Sequence, residues 1–283
     1  MKKKTLLIIL IVIAAIGVLV GVIFGIHYLL VRILSAKYNL TELTEGELPP
    51  KQEAVEDDYI QLSEVNMHYV RYGNGEQTVL LIHGNGGSTN SLKELAQYLA
   101  NDYTVYCLDS RCQGLSSDPG VISYDAMAED VYEFITAKSL EKPYLLGHSD
   151  GGIIGIILAA NHPDALGACI SCGANSEPST LKSYYIRDVK SREKNKLYDL
   201  MLEEPHLTTE LMAKIDTPFY IVAGEYDLMP LSDTVFLHES ISNSRIAIIK
   251  NHYHSTYISR NGKLIYHLAY DYFKEMDQLR SAQ

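Results

Sequence analysis

Apolar runs near residues 59–64, 67–72, 78–83, 103–109, 143–148, 166–173, 218–224 and 245–250 predict eight strands. Between most of them lie stretches with apolar positions at helical spacing: Ser91–Ala100, Tyr124–Lys138, Gly151–Asn161, Leu231–Ile241 and Gly262–Met276. Such alternation implies an α/β architecture, a mainly parallel sheet flanked by helices. The first two strands, joined near Val65-Asn66, leave no room for a crossover and predict an antiparallel hairpin edge. Residues 174–216 interrupt the alternation with a polar, helix-compatible insertion.

A different pattern opens the chain. Lys2-Lys3-Lys4 precedes Leu6–Ile26, an unbroken apolar run of 21 residues. At about 1.5 Å per residue, such a helix matches a bilayer core. The run continues through His27 and Tyr28 to Leu30 without an Ala-x-Ala end, so residues 1–34 read as an uncleaved membrane anchor. The lysines and amino terminus outweigh Arg32 and Lys37 on the far flank, which places the remainder of the chain outside the cytoplasm. Gly17, Gly21 and Gly25 line one face of this helix and would permit a homodimer, although glycine is common in membrane helices in any case. Residues 35–57 carry Glu42, Glu45, Glu47, Glu53 and Glu56 with Pro49-Pro50, and are expected to form an acidic tether. Asn39-Leu40-Thr41 is a glycosylation sequon. Residues 58–283 remain for one sizeable domain, and 47% hydrophobic composition suits a globular fold.

Candidate chemistry centres on Gly147-His148-Ser149-Asp150-Gly151, set between an apolar strand and an apolar helix. Glycines on both sides allow a serine to stand at the tip of a strained strand-to-helix turn. A serine hydroxyl needs a base, and the base needs an orienting acid. Thr217–Asp227 reads as a buried strand running into a polar turn, which sets Asp227 at a strand end, with Glu225 as the less suitable substitute. After the last strand, Asn251-His252-Tyr253-His254 offers two imidazoles; His254 is preferred as base, and His252 remains a competitor. The oxyanion needs backbone donors: one amide is expected from Asp150 and another from Asn85, in the glycine-rich loop His83-Gly84-Asn85-Gly86-Gly87. That loop has the spacing of neither a dinucleotide nor a P-loop fingerprint.

The His83-Gly84 loop, Asp109-Ser110-Arg111-Cys112-Gln113-Gly114-Leu115-Ser116, Gly147-x-Ser149-x-Gly151, Gly224-Glu225-Tyr226-Asp227 and Tyr253-His254, taken in order, resemble the landmarks of the α/β-hydrolase superfamily. The resemblance covers about residues 58–280 and departs from the family habit at Tyr253, where glycine commonly precedes the histidine. It implies Ser149 as nucleophile, Asp227 as acid, His254 as base, and the amides of Asn85 and Asp150 as oxyanion hole. It also implies that residues 174–216 form a short lid.

Charge and cysteine use refine this expectation. The formal net charge is -11, yet the insertion gathers Lys182, Arg187, Lys190, Arg192, Lys194 and Lys196, which is either a patch for anionic substrates or lipid head groups or a solvated helix face. Cys107 and Cys169 fall in strand-like runs and read as buried thiols, and Cys169-Ile170-Ser171-Cys172 lies on a strand rather than at a redox helix start. A disulfide among the four, with Cys112, stays open. No metal site, cofactor or nucleic-acid partner is expected. The chain thus reads as a membrane-anchored serine hydrolase acting on a small acyl substrate, esterase-like rather than peptidase-like. An acyltransferase, a small-peptide peptidase and a non-catalytic binding protein are the alternatives on the same fold.

Overall fold

The computed structural model describes residues 2–38 and 40–282, without the side chains of residues 2–7, 10, 27, 30, 31 and 34–36 of the first helix. The chain divides into two units, residues 1–40 and 41–283. The first is helix α1 (Lys2–Tyr38). Every described side chain over residues 11–26 is exposed, so the helix is apolar on all sides. Among the described residues no helix is long and apolar enough to cross a membrane. The side chains of Lys2, Lys3 and Lys4, which carried the orientation argument, and Asn39 of the sequon lie outside the described residues. A Cβ added at Gly17, Gly21 or Gly25 would meet nothing within 4 Å.

The second unit is built on strands β1 (Leu40–Thr41), β2 (Ala54–Gln61), β3 (Asn66–Tyr72), β4 (Thr78–Ile82), β5 (Thr104–Leu108), β6 (Tyr144–His148), β7 (Ala168–Cys172), β8 (Phe219–Tyr226) and β9 (Ser244–Tyr253). They form one nine-stranded sheet in the order β1-β9-β8-β7-β6-β4-β5-β3-β2. The pairs from β5 through β4, β6, β7 and β8 to β9 are parallel, whereas β2–β3 and β3–β5 are antiparallel. Helices α2 (Lys93–Leu99), α3 (Tyr124–Ala137), α4 (Asp150–Asn161), α5 (Ser183–Ser191), α6 (Lys196–Glu203), α7 (Thr209–Met212), α8 (Leu231–Ser240) and α9 (Gly262–Ser281) complete the unit.

Period-two alternation divides the core. In β4, Leu80 and Ile82 join the apolar layer that contains Phe134 of α3 and Ile153 of α4, while Val79 and Leu81 join the layer that contains Leu95 of α2 and Phe273 of α9. Both faces of the parallel strands are therefore covered, which explains their nearly continuous apolar sequences. Helix α4 is buried along its whole length except at Asn161, consistent with its lack of a polar face.

Two expectations need correction. The sheet has nine strands rather than eight, because a two-residue strand, β1, adds to its edge, and the first long strand begins at Ala54 rather than near residue 59. The stretch expected as a free acidic tether, residues 35–57, is not one. Helix α1 continues to Tyr38, Leu43 and Leu48 pack against the core, and the acids have partners: Glu42 with Lys250, Glu45 with Lys263, and Glu56 with Arg71. Composition overstated the disorder because it counts charges without their distant counter-ions. All four cysteines, whose disulfide state the sequence left open, are free; Cys107 and Cys169 are buried, as is Cys172.

Candidate active site

Parallel register gathers the chemistry at one edge of the sheet, since the loops after β4, β6, β8 and β9 all leave carboxyl ends of parallel strands. Between β6 and α4 the chain turns on Ser149 alone, held at φ 54 and ψ -114. This is a strained conformation for a residue with a side chain. The tightness of the turn dictates its glycines. A Cβ on Gly147 would lie 2.0 Å from the Gly151 carbonyl oxygen, and one on Gly151 would lie 2.2 Å from that of Ile82. The Ser149 amide donates to the Cys172 carbonyl at 2.7 Å, which fixes the elbow to β7.

His254 bridges the two other expected residues. Its Nε2 lies 3.0 Å from Ser149 Oγ and its Nδ1 lies 2.5 Å from Asp227 Oδ1. Asp227 accepts at Nδ1, so the proton belongs there and Nε2 presents its lone pair to the serine hydroxyl. Burial pushes the Asp227 carboxyl up, but the adjacent imidazole and hydrogen bonds from the Gly224 and Leu228 amides outweigh it and hold the group below its ordinary value. Gly173, at φ 68, passes so close that a Cβ there would sit 3.0 Å from the His254 ring. The competing candidates are elsewhere: His252 Nδ1 pairs with Thr256 Oγ1 at 3.0 Å, and Glu225 accepts from the Asn251 amide at 2.9 Å.

The loop after β4 presses against the elbow, with a Cβ on Gly84 reaching 3.0 Å from Ser149 Cβ. Within it, the Gly86 amide donates to Gln113 Oε1 at 2.6 Å and the Gly87 amide to the Gly84 carbonyl at 2.9 Å. Asn85 and Asp150, expected to supply amides, also meet through their side chains: Asn85 Nδ2 donates to Asp150 Oδ2 at 3.0 Å and to the Leu197 carbonyl of the insertion at 3.0 Å. The Tyr124 hydroxyl donates to the other Asp150 oxygen, also at 3.0 Å. Burial raises the Asp150 carboxyl to about 6 despite these donors.

Three further residues were not legible as site residues. His148, inside the motif, donates from Nε2 to the His254 carbonyl at 3.0 Å, and burial beside His254 pushes it down to about 3, so it stays neutral. Tyr124 gave no sign of its proximity to Asp150. Lys182 had been read as one member of a basic cluster. Instead its Nζ donates to the Asp227 carbonyl at 2.6 Å and its amide to the Leu228 carbonyl at 2.9 Å, which ties the insertion to the acid's loop. Arg192 pairs with Asp188, and Lys196 with Asp118, leaving Arg187, Lys190 and Lys194 as the exposed cations of that cluster.

Ser149 opens onto a cleft of about 630 Å³ lined by the Gly84–Gly87 loop, Tyr184 and Tyr185 of α5, and residues 253–256. A nearly closed recess of about 10 Å³ is lined by Tyr124, Asp150, Leu181, Met201, Leu228 and Met229. Among the described residues, no group of three or more His, Cys, Asp or Glu side chains could hold a metal ion.

Residues 77–199 match the family model described as the alpha/beta hydrolase fold. The serine hydrolase BPHL of Homo sapiens is 27% identical over 233 residues, which cover 70% of this chain and 80% of that protein. Among solved structures, the enol-lactonase from Burkholderia xenovorans LB400 superposes with a TM-score of 0.65 at 17% identity, over 76% of this chain and 99% of that one. A protein described as a membrane phospholipase A and bacterial virulence factor superposes over 99% of both chains, with a TM-score of 0.64 at 19% identity.

Proposed function

Because the chain belongs to the α/β-hydrolase superfamily, we propose that it is a membrane-anchored serine hydrolase that cleaves a carboxylic ester through an acyl-enzyme on Ser149. The observation that carries this reading is the single hydrogen-bonded line Ser149–His254–Asp227. In the proposed cycle Ser149 Oγ attacks the acyl carbon while His254 Nε2 takes the hydroxyl proton. The amides of Asn85 and Asp150 receive the oxyanion. Collapse breaks the ester C–O bond, and the alcohol leaves with the proton from His254. A water molecule then gives a proton to His254, attacks the acyl carbon and releases the acid, returning the proton to Ser149. Asp227 stays ionised throughout and keeps the imidazole in the required tautomer.

Support for the anchor is separate. The 21-residue apolar run would span about 31 Å as a helix. A helix apolar on every side, with no core of its own, fits lipid better than water. The superposition on a protein called a membrane phospholipase A extends over 99% of both chains, so it takes in α1. The lysine-rich start of the chain favours an extracytoplasmic domain.

A serine-directed fluorophosphonate should label the full chain and fail to label Ser149→Ala. Equal labelling of that variant would refute the nucleophile. Alkaline carbonate washing of membranes should leave the chain in the pellet, and its release into the supernatant would refute the anchor.

A further inference from the structure

The two sides of Ser149 differ in charge. Among the residues that line the open cleft there is no carboxylate, and apart from the histidines the one ionisable cation is Arg260. Its guanidinium makes no hydrogen bond or ion pair among the described residues, although the chain carries 35 acids against 24 lysines and arginines. Arg71, Arg111, Arg192 and Arg245 all have carboxylate partners. Arg260 is exposed, and its backbone, at φ 55, is tied by its amide to the Ser91 carbonyl at 2.9 Å. The Ser91 and Ser259 hydroxyls line the same part of the cleft. The adjoining recess, with space for only about 10 Å³, has Leu181, Met201, Leu228 and Met229 as apolar walls and Asp150 as its acid. An anion there would face a buried carboxylate that ionises above about pH 6.

We infer that Arg260, with the Ser91 and Ser259 hydroxyls, forms a subsite for an oxyanion carried on the alcohol side of the ester. This rests on the proposed ester hydrolysis and names its substrate class: acyl esters of alcohols that bear a phosphate or carboxylate. A guanidinium in a cleft without competing acids binds either group through charge-assisted hydrogen bonds.

The test uses the full chain in detergent micelles and three esters of one short acyl group: with glycerol, with glycerol 3-phosphate and with glycolate. The quantity read is the ratio of kcat/KM for each anionic ester to that for the neutral one. The ratio should exceed one by roughly 10-fold or more for the phosphate ester, the glycolate ester or both, the pattern telling which oxyanion is preferred. Arg260→Gln should bring it to about one, and Arg260→Lys should restore part of it. A wild-type ratio near one for both anions, or a ratio unmoved by Arg260→Gln, overturns the subsite while turnover of the glycerol ester leaves the hydrolase reading standing. Loss of that reading would show separately, as fluorophosphonate labelling that survives Ser149→Ala. A second readout needs no turnover: glycerol 3-phosphate should bind Ser149→Ala more tightly than Ser149→Ala/Arg260→Gln, and equal binding counts against the subsite.

Discussion

Asp150 lies beside Ser149 as an almost fully buried acid, and Asp150→Asn should change how stability depends on pH. Burial raises its carboxyl to about 6, against 3.8 for the free group. A difference of about two pH units corresponds to roughly 3 kcal/mol between the protonated and ionised forms. The sign follows from proton binding. Between about pH 4 and 6 the folded chain keeps this proton while the unfolded chain has released it, so the contribution to stability is present below pH 4 and is lost as pH rises through 6. Asparagine does not titrate. Its amide would face the Asn85 donor, a loss that is the same at every pH and cancels in a difference. The stability of Asp150→Asn minus that of the wild type should therefore rise by roughly 2 to 3 kcal/mol from pH 4 to pH 7. Urea unfolding of both full chains in the same micelles, followed by circular dichroism at four or five pH values, measures this directly. Parallel curves across the window would refute the idea that burial dominates at Asp150.

The two histidines of the last loop should separate sharply. His254→Ala should lower ester turnover about a thousandfold or more, whereas His252→Ala, which loses a contact with Thr256, should stay within about threefold, and the reverse order would exchange their roles. Gly151→Ala places a methyl group 2.2 Å from the Ile82 carbonyl oxygen, a backbone atom that cannot swing away. It should destabilise the chain by at least about 3 kcal/mol, and an unchanged melting temperature would contradict that packing.

The parts of this molecule that could be read from sequence share one property: their signal is local. Strands such as Thr78–Ile82 and Tyr144–His148 are buried on both faces, so their apolar character is continuous and visible in five residues. The elbow is legible because its geometry requires glycine at Gly147 and Gly151, whatever surrounds it. Asp227 was expected from its place at the end of a strand together with the chain order Ser, Asp, His. Glu42 and Glu45 were misread for the opposite reason, because their partners Lys250 and Lys263 are about two hundred positions away and no window contains both members of either pair. The choice between His252 and His254 depended on how the chain turns after β9, which neither side chain encodes.

Lys182 carries the same reasoning to the insertion. As a letter in a basic run it suggested an outward-facing charge; in the fold it is half-buried and donates to the Asp227 carbonyl, a bond set by where β8 ends. Asn85 holds the insertion from the other side through the Leu197 carbonyl, and the Glu204 carboxylate accepts from the Tyr124 amide at 2.9 Å. The segment is thus fastened to the acid's loop, to the loop after β4 and to the helix that contacts Asp150. Sequence drift in this insertion would therefore shift the support of Asp227 through Lys182 and that of Asp150 through the Asn85–Leu197 and Tyr124–Glu204 bonds. The supports of Asp227 and Asp150 are thus joined through one insertion by hydrogen bonds, not simply adjacent in space.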